Sequence, residues 1–308
     1  MTSGGGAMIK KLDDIFNELK SCDKKAVLSV AAAHDEEVLL AVRDACDMNI
    51  IKAILIGEED KIRKIASEIK FDLSEVEVID ESDLKLCAEK AVKLVSSGKA
   101  DYVMKGLLDT SIILKEVLNK EYGLRTDSLL SHVMIYEVPS YHKLLILTDG
   151  GMNIDPDVSQ KKKIADNAIK AAKSLGIDTV KVACLAAKEK VNPKMQATLD
   201  ADELKSMCKD GMFGKGVVVE GPIAFDLAVS EEACKIKGYE SEVGGDADIL
   251  LVPTIETGNG IGKALTYMAN AKSAGIIMGA KAPVVLVSRA DTHESKLYSI
   301  AYGAIATK

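Results

Sequence analysis

Tryptophan is absent from this 308-residue chain, and aromatics make up only 4% of it. Aliphatic side chains must therefore fill the core, which suits an α/β protein with strands rich in Val, Ile and Leu. Arginine is scarce as well: the four are Arg43, Arg63, Arg125 and Arg289. No stretch approaches the roughly 18 unbroken apolar residues of a membrane span, so no membrane partner is expected. No C-x-x-C pair occurs among Cys22, Cys46, Cys87, Cys184, Cys208 and Cys234. They read as free thiols in a reducing compartment. The histidines His34, His132, His142 and His293 show no metal-ligand spacing, so no metal is expected. A basic excess is lacking too. The net charge is -7 and the pI about 5.3, which argues against a nucleic-acid partner while leaving room for a local anion site. Residues 1–7 have no apolar signal-peptide core; they read as a cloning remnant and are left out of fold reasoning. The expected location is cytoplasmic.

What the chain does have is 47% hydrophobic residues in a repeating order of short aliphatic run, turn and amphipathic stretch. Strands are expected at 26–32, 52–56, 76–79, 102–104, 179–185, 217–220, 248–252 and 284–287. Helices are expected at 34–48, 59–69, 83–96, 111–119, 158–175, 200–209, 224–235, 261–274 and from 293. This alternation predicts α/β architecture with parallel strands and right-handed crossovers. The runs 131–138 and 143–147 are too close for a helix between them, so they should pair antiparallel. That hairpin is the expected domain crossing, and the segment 236–246 reads as an exposed loop.

Four loops carry small or polar residues directly after strands, where ligands bind in open α/β sheets. In the first, Lys105-Gly106 leads to Thr110 and Ser111, which either cap a helix or offer hydroxyls to a phosphate. The second, Thr148–Pro156, carries Gly150-Gly151; it is either a plain turn or a close approach to a ligand. The third, Val252–Ala264, fails as a P-loop because Thr257 stands where Gly is needed and Ala264 where Ser or Thr is needed. It is also not a G-x-G-x-x-G fingerprint. It survives as a glycine-rich turn opening a helix, with Lys263 one turn in, a candidate anion cradle. The fourth is Val284–Glu294, with Arg289 just after a strand; Arg125 lies in another turn. Arginine suits bidentate phosphate contacts. Asp291 is either an N-cap, with Glu294 completing a capping box, or part of the site.

At these same loops the chain resembles the phosphate acetyl/butyryltransferase family over essentially all of residues 8–308. The resemblance rests on Glu220-Gly221-Pro222-Ile223-Ala224-Phe225-Asp226, Pro253, Gly258-Asn259 with Lys263, and Ser288-Arg289. The stretches Leu124–Val133, Tyr141–Leu145 and Thr148–Ile154 look like the butyryl branch. The resemblance implies an isocitrate/isopropylmalate dehydrogenase-like fold, with two α/β/α domains flanking a cleft. Domain I would be 8–138 plus 284–308, and domain II, with the dimer contacts, 139–283. A homodimer or higher homo-oligomer is implied.

The implied reaction moves a short acyl group, preferably butyryl, from acyl-CoA to inorganic phosphate, giving acyl phosphate and CoA, and the reverse. No permanently bound cofactor is implied; coenzyme A is substrate or product. Ser288 and Arg289 match the family's residues for the transition state and the phosphate. Lys105, Thr110, Ser111, Arg125, Gly258, Asn259 and Lys263 are the candidate substrate-binding residues. Two departures matter. The acetyl branch has a catalytic aspartate where Ser295 stands, so the base falls among Asp291, Glu294 and His293, with Asp291 favoured. It also has an arginine where Lys115 or Glu116 stands, which leaves Arg125 to bind phosphate or CoA. The alternatives are a broad-specificity phosphate acetyltransferase, acyl transfer to another acceptor, a metal- and NAD(P)-dependent decarboxylating dehydrogenase, and a non-enzymatic ligand sensor.

Overall fold

The computed structural model describes residues 8–287 and 291–308. It is a mixed α/β protein whose chain folds into two compact units. The N-terminal unit comprises Leu12–Ser128 and Ala274–Lys308; the central unit comprises Leu129–Ser273 and the residues up to Lys11. The changeovers fall ten residues before those expected from the sequence. The reason is local. β5 (Ser131–Glu137) pairs antiparallel with β6 (Leu145–Thr148), Met134 opposite Leu147, so the hairpin stays in one unit rather than being divided. Residues 8–11 also join the central unit, through Ile9, which is buried and donates its N–H to Leu175 O at 2.9 Å.

In the N-terminal unit the strand order is β3 (Glu77–Asp80), β2 (Ile51–Gly57), β1 (Ala26–Ala31), β4 (Tyr102–Lys105), β11 (Val284–Val285) and β10 (Lys272–Met278). β1, β2, β3, β4 and β11 run parallel, and β10 is antiparallel to β11. Helix α2 (Glu36–Asp47) starts where Asp35 accepts the N–H of Val38, and α4 (Leu84–Ser96) where Asp83 accepts from Lys85 and Leu86. α1 (Leu12–Ser21), α2 and α11 (His293–Ile305) pack together; α4 packs on α5 (Thr110–Val117). Between them, α3 (Glu59–Glu68) links β2 to β3. The chain steps outward from β1 to β2 and β3, then returns on the other side of β1 with β4. The switch point therefore lies between β1 and β4.

In the central unit the order is β5, β6, β9 (Ile249–Leu251), β7 (Val180–Leu185) and β8 (Val217–Ile223), with β6, β9, β7 and β8 parallel. α6 (Val158–Lys173) opens with a capping box between Asp157 and Gln160. It is joined to α7 (Gln196–Lys209) by a buried ion pair, Lys161 to Asp200 at 2.6 Å. Leu145, Leu147, Leu250, Leu185, Ile223 and Leu265 form the apolar core above this sheet.

Several expectations are corrected. The expected helix 224–235 is two helices, α8 (Phe225–Val229) and α9 (Glu231–Lys237), because Ser230 turns extended and caps the second. The expected helix 261–274 is α10, Ile255–Tyr267; Asn270, with φ 51°, lies beyond its end, and the chain continues as β10, a strand not foreseen. The segment 236–246 is not simply an exposed loop. Val243 is fully buried, and Asp246 takes ion pairs from Lys143 (2.9 Å) and Lys181 (2.6 Å) and a hydrogen bond with His142 Nε2 (2.7 Å). Lys143 also lies 2.6 Å from the buried Asp248, a charge contact rather than a well-aligned hydrogen bond. This cluster sits at the amino ends of β6, β7 and β9 and ties them together.

Candidate active site

The parallel order of β1, β4 and β11 sends three loops out of the same edge of the N-terminal unit. After β1, Ala32 takes a left-handed backbone, φ 53°. After β4, Gly106 lies hard against it: its N–H reaches Ala31 O at 2.8 Å, and that of Leu107 reaches Ala32 O at 2.8 Å. A Cβ on Gly106 would fall 2.3 Å from Ala32 O, so only glycine fits. Lys105, half-buried at the end of β4, folds its ammonium over this loop, onto Leu108 O at 3.1 Å and Gly106 O at 3.3 Å. Thr110 and Ser111 are the exposed first two residues of α5. The cap position belongs to Asp109, so the capping reading of these two hydroxyls is corrected.

Ser288 and Arg289 lie outside the described residues. The chain leaves β11 at Val285 and is described again from Asp291, which is half-buried. The cap of α11 is Thr292, whose Oγ1 accepts the N–H of Ser295 at 3.1 Å, not Asp291 with Glu294. Of the three candidate bases, His293 is engaged at Nε2 by Asp44, 2.7 Å away, and Glu294 accepts from Tyr298 at 3.4 Å. Arg125 is exposed in the loop between α5 and β5. Neighbouring Thr126 anchors that loop on Gly279 O.

The central unit presents the loop after β6 and the start of α10. Asp149, only 2% exposed, accepts the N–H groups of Gly151 and Met152 at 2.9 Å and Asn153 Nδ2 at 2.6 Å. Its carboxylate is consumed by its own loop. Among the described residues, no group of three or more His, Cys, Asp or Glu side chains is placed to hold an ion. The turn expected at Gly258-Asn259-Gly260 is corrected: these residues lie within α10, not before it. Gly258 is there for contact, since a Cβ would meet Gly150 Cα at 2.7 Å, and one on Gly262 would meet the Tyr136 hydroxyl at 2.6 Å. Asn259 and Lys263 share one exposed face of the helix, four residues apart, with the Lys263 ammonium 5.9 Å from the Tyr267 ring.

Sequence reasoning thus named the loops but missed their supports. Asp149 has a local signal, a Gly-Gly-x-Asn turn after a strand. The Asp44–His293 pair has none, because 249 residues separate its members. The cysteines are free thiols. Burial pushes Cys46 and Cys184 up to about 12 and Cys87 to about 11, so these three are not thiolate nucleophiles near neutrality.

Comparison with known proteins supplies the family. The model of the phosphate acetyl/butaryl transferase family matches residues 11–89 and 82–304. Phosphate butyryltransferase of Clostridium acetobutylicum is 49% identical over 97% of this chain and 98% of its own length. Phosphate acetyltransferase of Thermotoga maritima is 42% identical over 90% of this chain and 94% of its own. A branched-chain phosphotransacylase from Enterococcus faecalis superposes with a TM-score of 0.81 at 36% identity, over 92% of this chain and 99% of that one. The dehydrogenase alternative gains no support from these relatives. On this match, which runs through both units, the chain belongs to the phosphate acetyl/butyryl transferase family.

Proposed function

We propose that this protein is a phosphate acyltransferase that moves short acyl groups, butyryl by preference, between coenzyme A and inorganic phosphate. The observation that carries the reading is the near-full-length identity of 49% to a phosphate butyryltransferase. The edge geometry supports it, because Lys105, Thr110 and Ser111 leave β4 beside the strand whose exit leads to Ser288-Arg289.

In the forward step a phosphate oxygen attacks the thioester carbonyl carbon, and the C–S bond breaks as the C–O bond of the acyl phosphate forms. The departing thiolate takes a proton. In reverse, the CoA thiol loses that proton to a base, since the thiolate is the nucleophile. The carbonyl oxygen becomes an oxyanion in both directions, and Ser288 is assigned as its donor. Arg289, aided by Arg125, neutralises phosphate. Asp291, the first carboxylate after Ser288-Arg289, is assigned as the base. Lys105, Thr110, Ser111, Gly258, Asn259 and Lys263 are assigned to substrate binding. The same reading takes the architecture as isocitrate/isopropylmalate dehydrogenase-like and the assembly as a cytoplasmic homodimer or larger.

The test is release of free thiol from butyryl-CoA with and without phosphate, beside acetyl-CoA under the same conditions. Phosphate-dependent release favouring butyryl-CoA is the expected result. Equal or faster release from acetyl-CoA turns the reading to an acetyltransferase of broad specificity. Release independent of phosphate, or none, overturns it.

A further inference from the structure

The first turn of α11 follows Asp291 and the cap residue Thr292 in the chain, so its position fixes where Asp291 stands. From Tyr298 onward, α11 is almost wholly buried, and Tyr298 itself donates to Asp13 and stacks on Phe16 at 5.1 Å. The first turn has no such apolar seat; polar ties to α2 hold it. His293 Nε2 lies 2.7 Å from Asp44 Oδ2. On its other oxygen Asp44 accepts Arg43 Nε at 2.9 Å and Nη2 at 2.6 Å. Arg43 in turn donates Nη1 to Ile69 O at 2.6 Å, beyond the end of α3. One turn along α11, the buried Lys296 reaches Glu37 on α2 at 3.3 Å.

This chain of contacts has a direction. Burial opposes ionisation of Asp44, but the hydrogen bonds from Arg43 and then His293 outweigh it and hold its carboxyl below the ordinary carboxylate range. An ionised Asp44 is acceptor only, so the proton of His293 sits on Nε2. The other ring nitrogen, Nδ1, is buried and makes no hydrogen bond among the described residues. The ring is therefore oriented by one partner, Asp44, which Arg43 holds in place.

We propose that His293 is a positioning residue for acyl transfer: clamped by the Arg43–Asp44 pair, it pins the first turn of α11 and with it Asp291, the assigned base. The inference rests on the function proposed above. A reacting group displaced by about 1 Å costs on the order of 10²-fold in rate. His293→Ala is therefore expected to lower kcat by roughly 10- to 100-fold while KM changes little. His293→Asn retains an N–H donor for Asp44 and is expected to recover most of that loss. Asp44→Ala, which also releases Arg43, is expected to lower kcat at least as much as His293→Ala, and the double variant to be no worse than Asp44→Ala alone.

Kinetics of these variants would be read beside amide hydrogen exchange of the folded proteins, which should quicken at residues 293–296 in His293→Ala alone of the two histidine variants. Wild-type kcat in His293→Ala overturns the proposal. So does His293→Asn as slow as His293→Ala, which would make His293 the base instead. If the wild type shows no phosphate-dependent thiol release, the functional reading has failed. The exchange pattern then still decides the clamp: unchanged exchange in His293→Ala overturns it, and faster exchange rescued in His293→Asn supports it.

Discussion

At the carboxyl end of β4 in the N-terminal unit the polar groups are a cation and hydroxyls, Lys105, Thr110 and Ser111. At the corresponding ends in the central unit they are a carboxylate turned inward, Asp149, and glycines, Gly150 and Gly258, in backbone contact. The same strand-then-loop sequence pattern thus yields two kinds of edge. One ends in two exposed hydroxyls, with an ammonium folded over the carbonyls of its own loop. The other spends its polar groups on itself and offers shape.

The largest effect tests the charged edge. Ser288→Ala should lower kcat by roughly 10²–10³, the cost of about 2.7–4 kcal/mol for one lost oxyanion donor, with the melting temperature unchanged. An unchanged rate would remove Ser288 from the mechanism, and the assignment of the chemistry to this edge would go with it.

A smaller effect, and on stability rather than rate, tests the contacts that glycine permits. At Gly106 a methyl would fall 2.3 Å from Ala32 O, and at Gly258 it would fall 2.7 Å from Gly150 Cα and 2.9 Å from Val252 Cγ2. Neither neighbour is the free end of a side chain, apart from the valine methyl. Alanine at either site should destabilise by about 1–3 kcal/mol, measured by denaturant unfolding. A Gly258→Ala protein as stable as the wild type would show that the loop after β6 moves aside easily, and that the central edge is not a fixed shape.

Much of this was legible in the sequence because it is local. Short aliphatic runs marked β1, β2, β4, β6 and β7, and the short Pro139–His142 link marked the antiparallel hairpin. What was not legible depends on distant packing. The glycines at 258, 260 and 262 read as a turn because glycine disfavours helices. Two of them are kept helical by contacts with Gly150 and Tyr136, more than a hundred residues away. β10 was hidden because Lys272-Ser273-Ala274-Gly275 has no strand-like alternation; its register comes from Ile277 against Val284. The site residues followed the same division. Lys105 and Asp291 could be named from loops after strands, whereas Asp44, on a charged helix face, gained meaning only opposite His293.

The smallest effect separates the two meanings of that glycine cluster. Gly260 lies in the same turn of α10 as Gly258, yet a Cβ there meets nothing within 4 Å. Packing gives no reason for glycine at this position, and alanine is the better helix former by about 0.8–1.0 kcal/mol. Gly260→Ala should therefore stabilise the protein by up to about that amount, with KM for acyl-CoA unchanged. Gly258→Ala, two residues earlier, should do the reverse. If Gly260→Ala instead raised KM for acyl-CoA, the bare backbone at 260 would be meeting the ligand, and the central edge would be an anion cradle after all. If both substitutions were neutral, the helix would tolerate methyls on either side, and close approach to Gly150 could not be why glycine stands at 258.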